Sequence, residues 1–138
     1  MFKLRFTRNF GLDRNAVNRT AYVIMNNWGA RALQFMKQYP PQRNPDSVYV
    51  RGFGIPPNQR VSEDLGARWV KKLRQKARKT TLIIGNNASY AQYVQSRELQ
   101  AQIHRDWWQT EYDMIEQLFP ILIDEFERFL PTAIVTRN

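Results

Sequence analysis

Two long stretches of helical periodicity, one near each end of the chain, and a β-branched, cation-rich hairpin pattern between them predict an α+β fold. The expected arrangement is a small antiparallel sheet with a basic hairpin, flanked by a long N-terminal helix and a proline-kinked C-terminal helix. With 138 residues the chain suits a single domain over 1–138, since domains cluster near ~100–150 residues. Hydrophobic residues make up 43% of it and charged residues 24%, enough apolar surface to offset the entropy of ordering.

Residues 2–7 form a short extended arm. Asp13 is placed to cap a helix, because its carboxylate can accept from the backbone N–H groups two or three residues later. Val17, Ala21, Ile24, Trp28, Ala32 and Phe35 then recur at steps of three and four, the spacing of one apolar helix face. This helix ends near Tyr39, where "YPPQRNPDS" brings three prolines and no periodicity. Through residues 40–66 the glycines at 52 and 54 and the Pro56–Pro57 pair break regular structure, with "VYV" as a candidate edge strand. This segment is expected to be a mobile loop that orders on contact with partners.

In "RWVKKLRQKARKTTLIIGN" Trp69, Lys71 and Leu73 alternate with Val70 and Lys72, while Thr80 to Ile84 is β-branched and apolar. The pattern predicts a hairpin with "RQKARK" as its connection. A helix from Glu63 to Lys79, capped by Ser62, competes with it, and the alternation favours the hairpin. Next, "IGNNASYAQYVQ" reads as a strand ending at Gly85. Asn86 and Asn87 suit a turn because they can hydrogen-bond their own backbone, and a short packed helix follows, with Tyr90, Tyr93 and Val94 on one side and Ala91 among its residues. The last helix begins at Thr110 with Asp113 three residues on, a capping pattern. Its apolar face is Ile115, Leu118, Phe119, Leu122, Phe126 and Phe129. Pro120 should kink or restart it, since proline removes a backbone donor and clashes one turn back. The tail "PTAIVTRN" either adds a short strand or extends freely.

The composition excludes several chemistries. There is no cysteine, hence no disulfide scaffold, thiol chemistry or cysteine-bound metal. No apolar run approaches the ~18–20 residues that cross a bilayer, so no membrane partner is expected. His104 is the sole histidine, and a zinc site or triad would have to pass through it; its setting beside Asp106, Trp107 and Trp108 fits a packed surface or interface ring better than a general base. The acids Glu111, Asp113, Glu116, Asp124, Glu125 and Glu127 share one helix rather than converging from separate elements, which suits an interface better than a metal. "RGFGIPPNQ" has a G-x-G but neither the third glycine nor the strand-to-helix context of a phosphate cradle. No catalytic residue and no cofactor are expected, and the protein is read as no enzyme.

Charge is the strongest signal. The chain carries 21 cations against 12 acids, a net +9. Residues 1–97 hold 18 of the cations and 4 of the acids, a net of +14, whereas residues 98–138 have a net of −5. The centre of the positive charge is the basic hairpin: Arg68, Lys71, Lys72, Arg74, Lys76, Arg78 and Lys79. Such asymmetry serves a polyanion partner, or a head-to-tail contact in which one copy's acidic end meets the next copy's basic flank. A nucleic-acid-binding protein using residues 68–79 is the alternative function.

"IGNNASYAQYVQ", followed after a gap by "HRDWWQTEYDMIEQLFPILIDEFERFL", resembles a family of small bacteriophage and prophage proteins of the head–tail neck or minor-tail group. Those proteins have a similar N-N-x-x-Y-A-x-Y-V-Q corner, here Asn86, Asn87, Tyr90, Ala91, Tyr93 and Val94. They also have a His and Trp segment, here His104, Trp107 and Trp108, and a proline-interrupted C-terminal helix. The likeness spans about residues 68–130 and extends loosely to the N-terminal helix. It departs where the family has a short R-T-G-x-L link and this chain has "RGFGIPPNQRVSEDLG". The resemblance implies a small sheet flanked by two helices and a non-enzymatic place in the virion, after assembly in the host cytoplasm. It further implies a hexameric ring, or a dodecameric one near the portal, that joins head to tail or terminates the tail tube. The partners would be other neck, connector and tail proteins, with genomic DNA passing through the bore. In such a ring the basic hairpin is expected to meet acidic patches of the neighbouring subunit, since a cationic bore would hold DNA that has to slide.

Overall fold

The computed structural model describes residues 2–7, 14–38, 40, 64–76, 79–130 and 134–137. Four strands, β1 (Phe2–Thr7), β2 (Trp69–Lys76), β3 (Lys79–Asn86) and β4 (Ile134–Arg137), form one antiparallel sheet in the order β2-β3-β1-β4. The helices are α1 (Arg14–Met36), the single turn α2 (Asp64–Ala67), the short α3 (Ala91–Gln95) and α4 (Glu111–Phe129). Leu4 of β1 pairs with Leu82 on one side and with Arg137 on the other, so the first and last strands lie side by side in the sheet.

One face of the sheet carries Leu4, Thr80, Leu82 and Ile84, all fully buried. The α1 face predicted from the sequence packs onto it: Val17, Ala21, Ile24, Trp28 and Ala32 are buried, joined by Met25 and Met36, and Phe35 is half-buried. The approach is close at Gly29, where an added Cβ would stand 3.2 Å from the Leu82 methyls and 3.3 Å from Lys71 Cδ. Helix α4 completes the core with Met114, Leu122, Phe126 and then Leu130. The indole Nε1 of Trp28 donates to the Leu118 carbonyl at 2.7 Å, which ties α1 to α4 near the middle of each.

Several expectations change in the structure. Helix α4 runs through Pro120 from Glu111 to Phe129 without a restart. Phe129, expected on its apolar face, is 58% exposed; it lies at the helix end over a shallow groove whose α1 wall is partly polar, with Arg19, Thr20 and Asn27 beside Val23. The competing helix over Glu63–Lys79 is confined to its first turn, and Trp69 begins a strand. That strand takes up Arg74, Gln75 and Lys76, and β3 begins at Lys79, so the hairpin connection is shorter than expected. Strand β3 continues to Asn86, one residue past Gly85, and the tail contributes β4. The first helix ends at Met36, three residues before the expected Tyr39, while the proposed Asp13 cap, Tyr39 itself, Arg78 and nearly all of loop 40–66 lie outside the described residues.

Candidate functional site

Strand alternation divides the basic hairpin between two faces. Trp69, Lys71 and Leu73 turn toward the helices and are half-buried, while Val70, Lys72, Arg74 and Lys76 are exposed on the other side. Lys71 is therefore a structural residue: its Nζ donates to the Asn26 carbonyl at 3.0 Å and to Asn26 Oδ1 at 2.7 Å on α1. Arg68 stands in the turn before β2.

Register adds cations that the sequence pattern left apart. Lys72 pairs with Ile83, which pairs with Lys3; Arg74 pairs with Thr81, which pairs with Arg5; Lys76 pairs with Lys79. Cross-strand partners share a face, so Lys3, Arg5, Lys72, Arg74, Lys76 and Lys79 stand together on the side of the sheet away from the helices. None of them has an acidic partner among the described residues. The signal for Lys3 and Arg5 was the alternation in "FKLRF", but it could not say which strands that arm would join.

The corner at 86–95 acts as a fastening. Asn86 Oδ1 accepts from Ala88 N at 2.8 Å and closes the turn; Asn86 Nδ2 donates to the Leu65 carbonyl at 2.6 Å and holds α2. Asn87 contributes its backbone N–H to the Arg68 carbonyl. A second small core forms there from Leu65, Ala88, Val94 and Trp108, with Ala91 and Trp107 half-buried against it. The three residues expected on one side of the turn separate, with Val94 buried and Tyr90 and Tyr93 exposed. Tyr90 stands before the helix as its N-cap residue, and of the three only Val94 enters the second core.

Three glutamines join this corner to the rest: Gln95, the last residue of the N-N-x-x-Y-A-x-Y-V-Q corner, and Gln100 and Gln109, which no motif marked. Gln95 is 3% exposed; its Oε1 accepts from Trp69 Nε1 at 3.0 Å, and its Nε2 donates to the Met36 carbonyl at 3.0 Å. Gln109 Nε2 donates to the carbonyls of Phe35 and Gln38. Together they reach carbonyls at and just beyond the end of α1, where that of Phe35 also accepts from Gln38 N at 3.3 Å. Gln100 Nε2 bridges the carbonyls of Val94 and Trp108.

His104 packs edge-on against Trp108 with ring centroids 6.3 Å apart, and Trp107 packs edge-on against Trp108 in turn. Its Nδ1 is buried without a hydrogen-bond partner among the described residues. Burial holds the imidazole below its ordinary pKa. Asp106, two residues on, is exposed and takes a left-handed conformation with φ 59°.

The six acids of α4 have separate duties. Asp113 Oδ2 accepts from Thr110 N at 2.8 Å and Thr110 Oγ1 accepts from Asp113 N, a complete capping box. Glu111 accepts from the Arg97 backbone. Glu116 lies 3.8 Å from Arg137, and Glu125 lies 4.0 Å from Arg31. Asp124 and Glu127 are exposed on the outer side of the helix. Among the described residues no group of three His, Asp or Glu side chains could hold a metal ion, and no helix is long and apolar enough to cross a membrane.

Comparison with known proteins finds no matching family model, curated protein or solved structure.

Proposed function

We propose that this protein is a structural component of a tailed-phage neck, a subunit of a ring at the head–tail junction that joins head to tail or terminates the tail tube. The observation that carries this reading is the two-sided character of the domain. Cations cover the open side of the sheet, whereas Asp124, Glu127 and the groove of Val23 and Phe129 lie on the helical side. A ring of identical subunits needs unlike surfaces on different sides of each copy. Val23 is 54% exposed and Phe129 58%, which gives the helical side apolar area to bury against a neighbour. The corner that carries the family likeness supports the reading in a second way, because it fixes the hairpin to α1 and α4 as one rigid unit.

Six is the copy number the resemblance suggests, with twelve near the portal. Native mass by light scattering, over a range of protein and salt concentration, tests the proposal. A closed oligomer of that size, loosening as salt rises, is the expected result. A monomer under every condition would count against self-assembly into a ring. The second reading, a free-standing nucleic-acid-binding protein, is favoured by the cationic sheet face alone.

A further inference from the structure

The open face of the sheet presents six cations from three strands, Lys3 and Arg5 on β1, Lys72, Arg74 and Lys76 on β2, and Lys79 on β3. The other described side chains on this face are Val70, Thr81 and Ile83. We infer that this face is a binding surface for the sugar–phosphate backbone of duplex DNA. The inference deepens the neck reading by naming the surface that meets the genome, and it rests on that reading only for the source of the duplex.

Three observations select this occupant. First, the geometry is that of a phosphate track. Lys72, Arg74 and Lys76 follow one another at every second residue, roughly 6.8 Å apart along an antiparallel strand. Lys3 and Arg5 run beside them two strands over, roughly 9.6 Å away. Duplex DNA presents a phosphate every ~3.4 Å of axis on each strand, so several of the cations can be engaged at once. Second, the face has no aromatic side chain among the described residues. Single strands are held by stacking bases on aromatic rings, and membrane surfaces by a set of aromatic and aliphatic anchors; this face has no described aromatic ring, and Val70 is its one exposed large apolar side chain among the described residues. Third, a second copy of this chain is a poor match. Of the α4 acids, Asp113 is committed to its cap, Glu111 to the Arg97 backbone, and Glu116 and Glu125 to arginines of the same chain. Asp124 and Glu127 remain on α4, and with Glu98 and Asp106, exposed outside it, they make four acids against six cations among the described residues; subunit contacts in a ring would then draw on the apolar groove of Val23 and Phe129 as well as on charge.

Contacts of this kind read no sequence, and they let a protein slide along DNA. This replaces the expectation that the hairpin meets a neighbouring subunit because a cationic bore would hold the DNA: contacts that read no sequence let a duplex move past the surface.

The test is binding of the full-length protein to a fluorescent duplex of random sequence, followed by anisotropy at several salt concentrations, with native mass recorded on the same samples. Wild-type affinity should fall with salt, and each cation removed from the face should lower the log–log slope by ~0.9. Arg5→Gln, Lys72→Gln and Arg74→Gln are the variants; Lys37→Gln and Arg128→Gln, exposed elsewhere, are the charge-matched controls and should leave the slope unchanged. Lys72→Arg and Arg74→Lys keep the charge and should keep the binding, which separates lost contact from lost fold. An equal slope in wild type and sheet-face variants would overturn the inference. So would tighter binding to single-stranded DNA or RNA than to duplex, or binding only to anionic vesicles. A closed ring without duplex binding would sink this inference and leave the neck proposal standing. Duplex binding through the sheet face by a protein that stays monomeric would do the reverse.

Discussion

Lys71 and Lys72 are adjacent in sequence and carry the same charge, yet the pleat sends them to opposite faces, and replacing each in turn by methionine separates structure from binding. Lys71 Nζ makes two hydrogen bonds to Asn26, at 2.7 and 3.0 Å. Hydrogen bonds involving a charged group are worth about 1.5–3 kcal/mol. Because Lys71 is half-exposed, water recovers part of this, and methionine still packs beside Gly29; a loss of about 1–2 kcal/mol remains for Lys71→Met. Lys72 has no partner within the described residues, so Lys72→Met should change stability by less than about 0.5 kcal/mol. Urea unfolding followed by tryptophan fluorescence measures both. At roughly 3–5 °C per kcal/mol for a chain of this size, Lys71→Met should also melt roughly 3–10 °C lower than wild type. The two variants should invert in the duplex-binding assay, where Lys72→Met loses slope and Lys71→Met does not. Equal destabilisation by the two substitutions would refute the assignment of faces, and with it the composition of the cationic surface.

Gln95→Leu leaves the Met36 carbonyl and the Trp69 indole N–H without their shared partner, and at about 1–3 kcal/mol for each buried group it should cost about 2–4 kcal/mol, the indole being partly reachable by water. A shift in the urea midpoint equivalent to less than about 1 kcal/mol would mean that the amide does not bridge α1 to the hairpin. His104 predicts a pH dependence: burial holds its native pKa below the ordinary 6.5, so as pH falls the unfolded chain binds the proton first. Stability should decline as pH drops through 6.5 toward the lowered native value. His104→Phe keeps a ring against Trp108 and should remove that share of the decline; identical stability–pH curves would refute it.

The periodic parts of the molecule were legible without coordinates. The α1 face, the α4 capping box and the alternation of the hairpin each depend on neighbours within a few residues, where helix and strand geometry alone decide which side chains share a face. The turn at Asn86 was legible for the same reason, since its side chain closes onto Ala88 two residues away. Phe129 marks the boundary of that logic. Its spacing places it on the apolar side of α4, but whether anything covers it depends on what α1 presents opposite.

The remaining features come from contacts between distant segments. Gln95 reaches Met36 across 59 positions, and Gln109 reaches Phe35 across 74; an amide at a helix end carries no mark of which carbonyl it will meet. The sequence announced a basic segment at 68–79, but it could not divide Lys71 from Lys72 by role, nor bring Lys3 and Arg5 beside them. Periodicity sets alternation along one strand. Only the pairing of β1 with β3, and of β3 with β2, decides which alternating sets lie on the same side, and that pairing is fixed by the burial of Leu4, Leu82 and Ile84 under α1. The sequence by itself determined the elements and the sign of the charge; the tertiary structure decided that six of those charges form one surface.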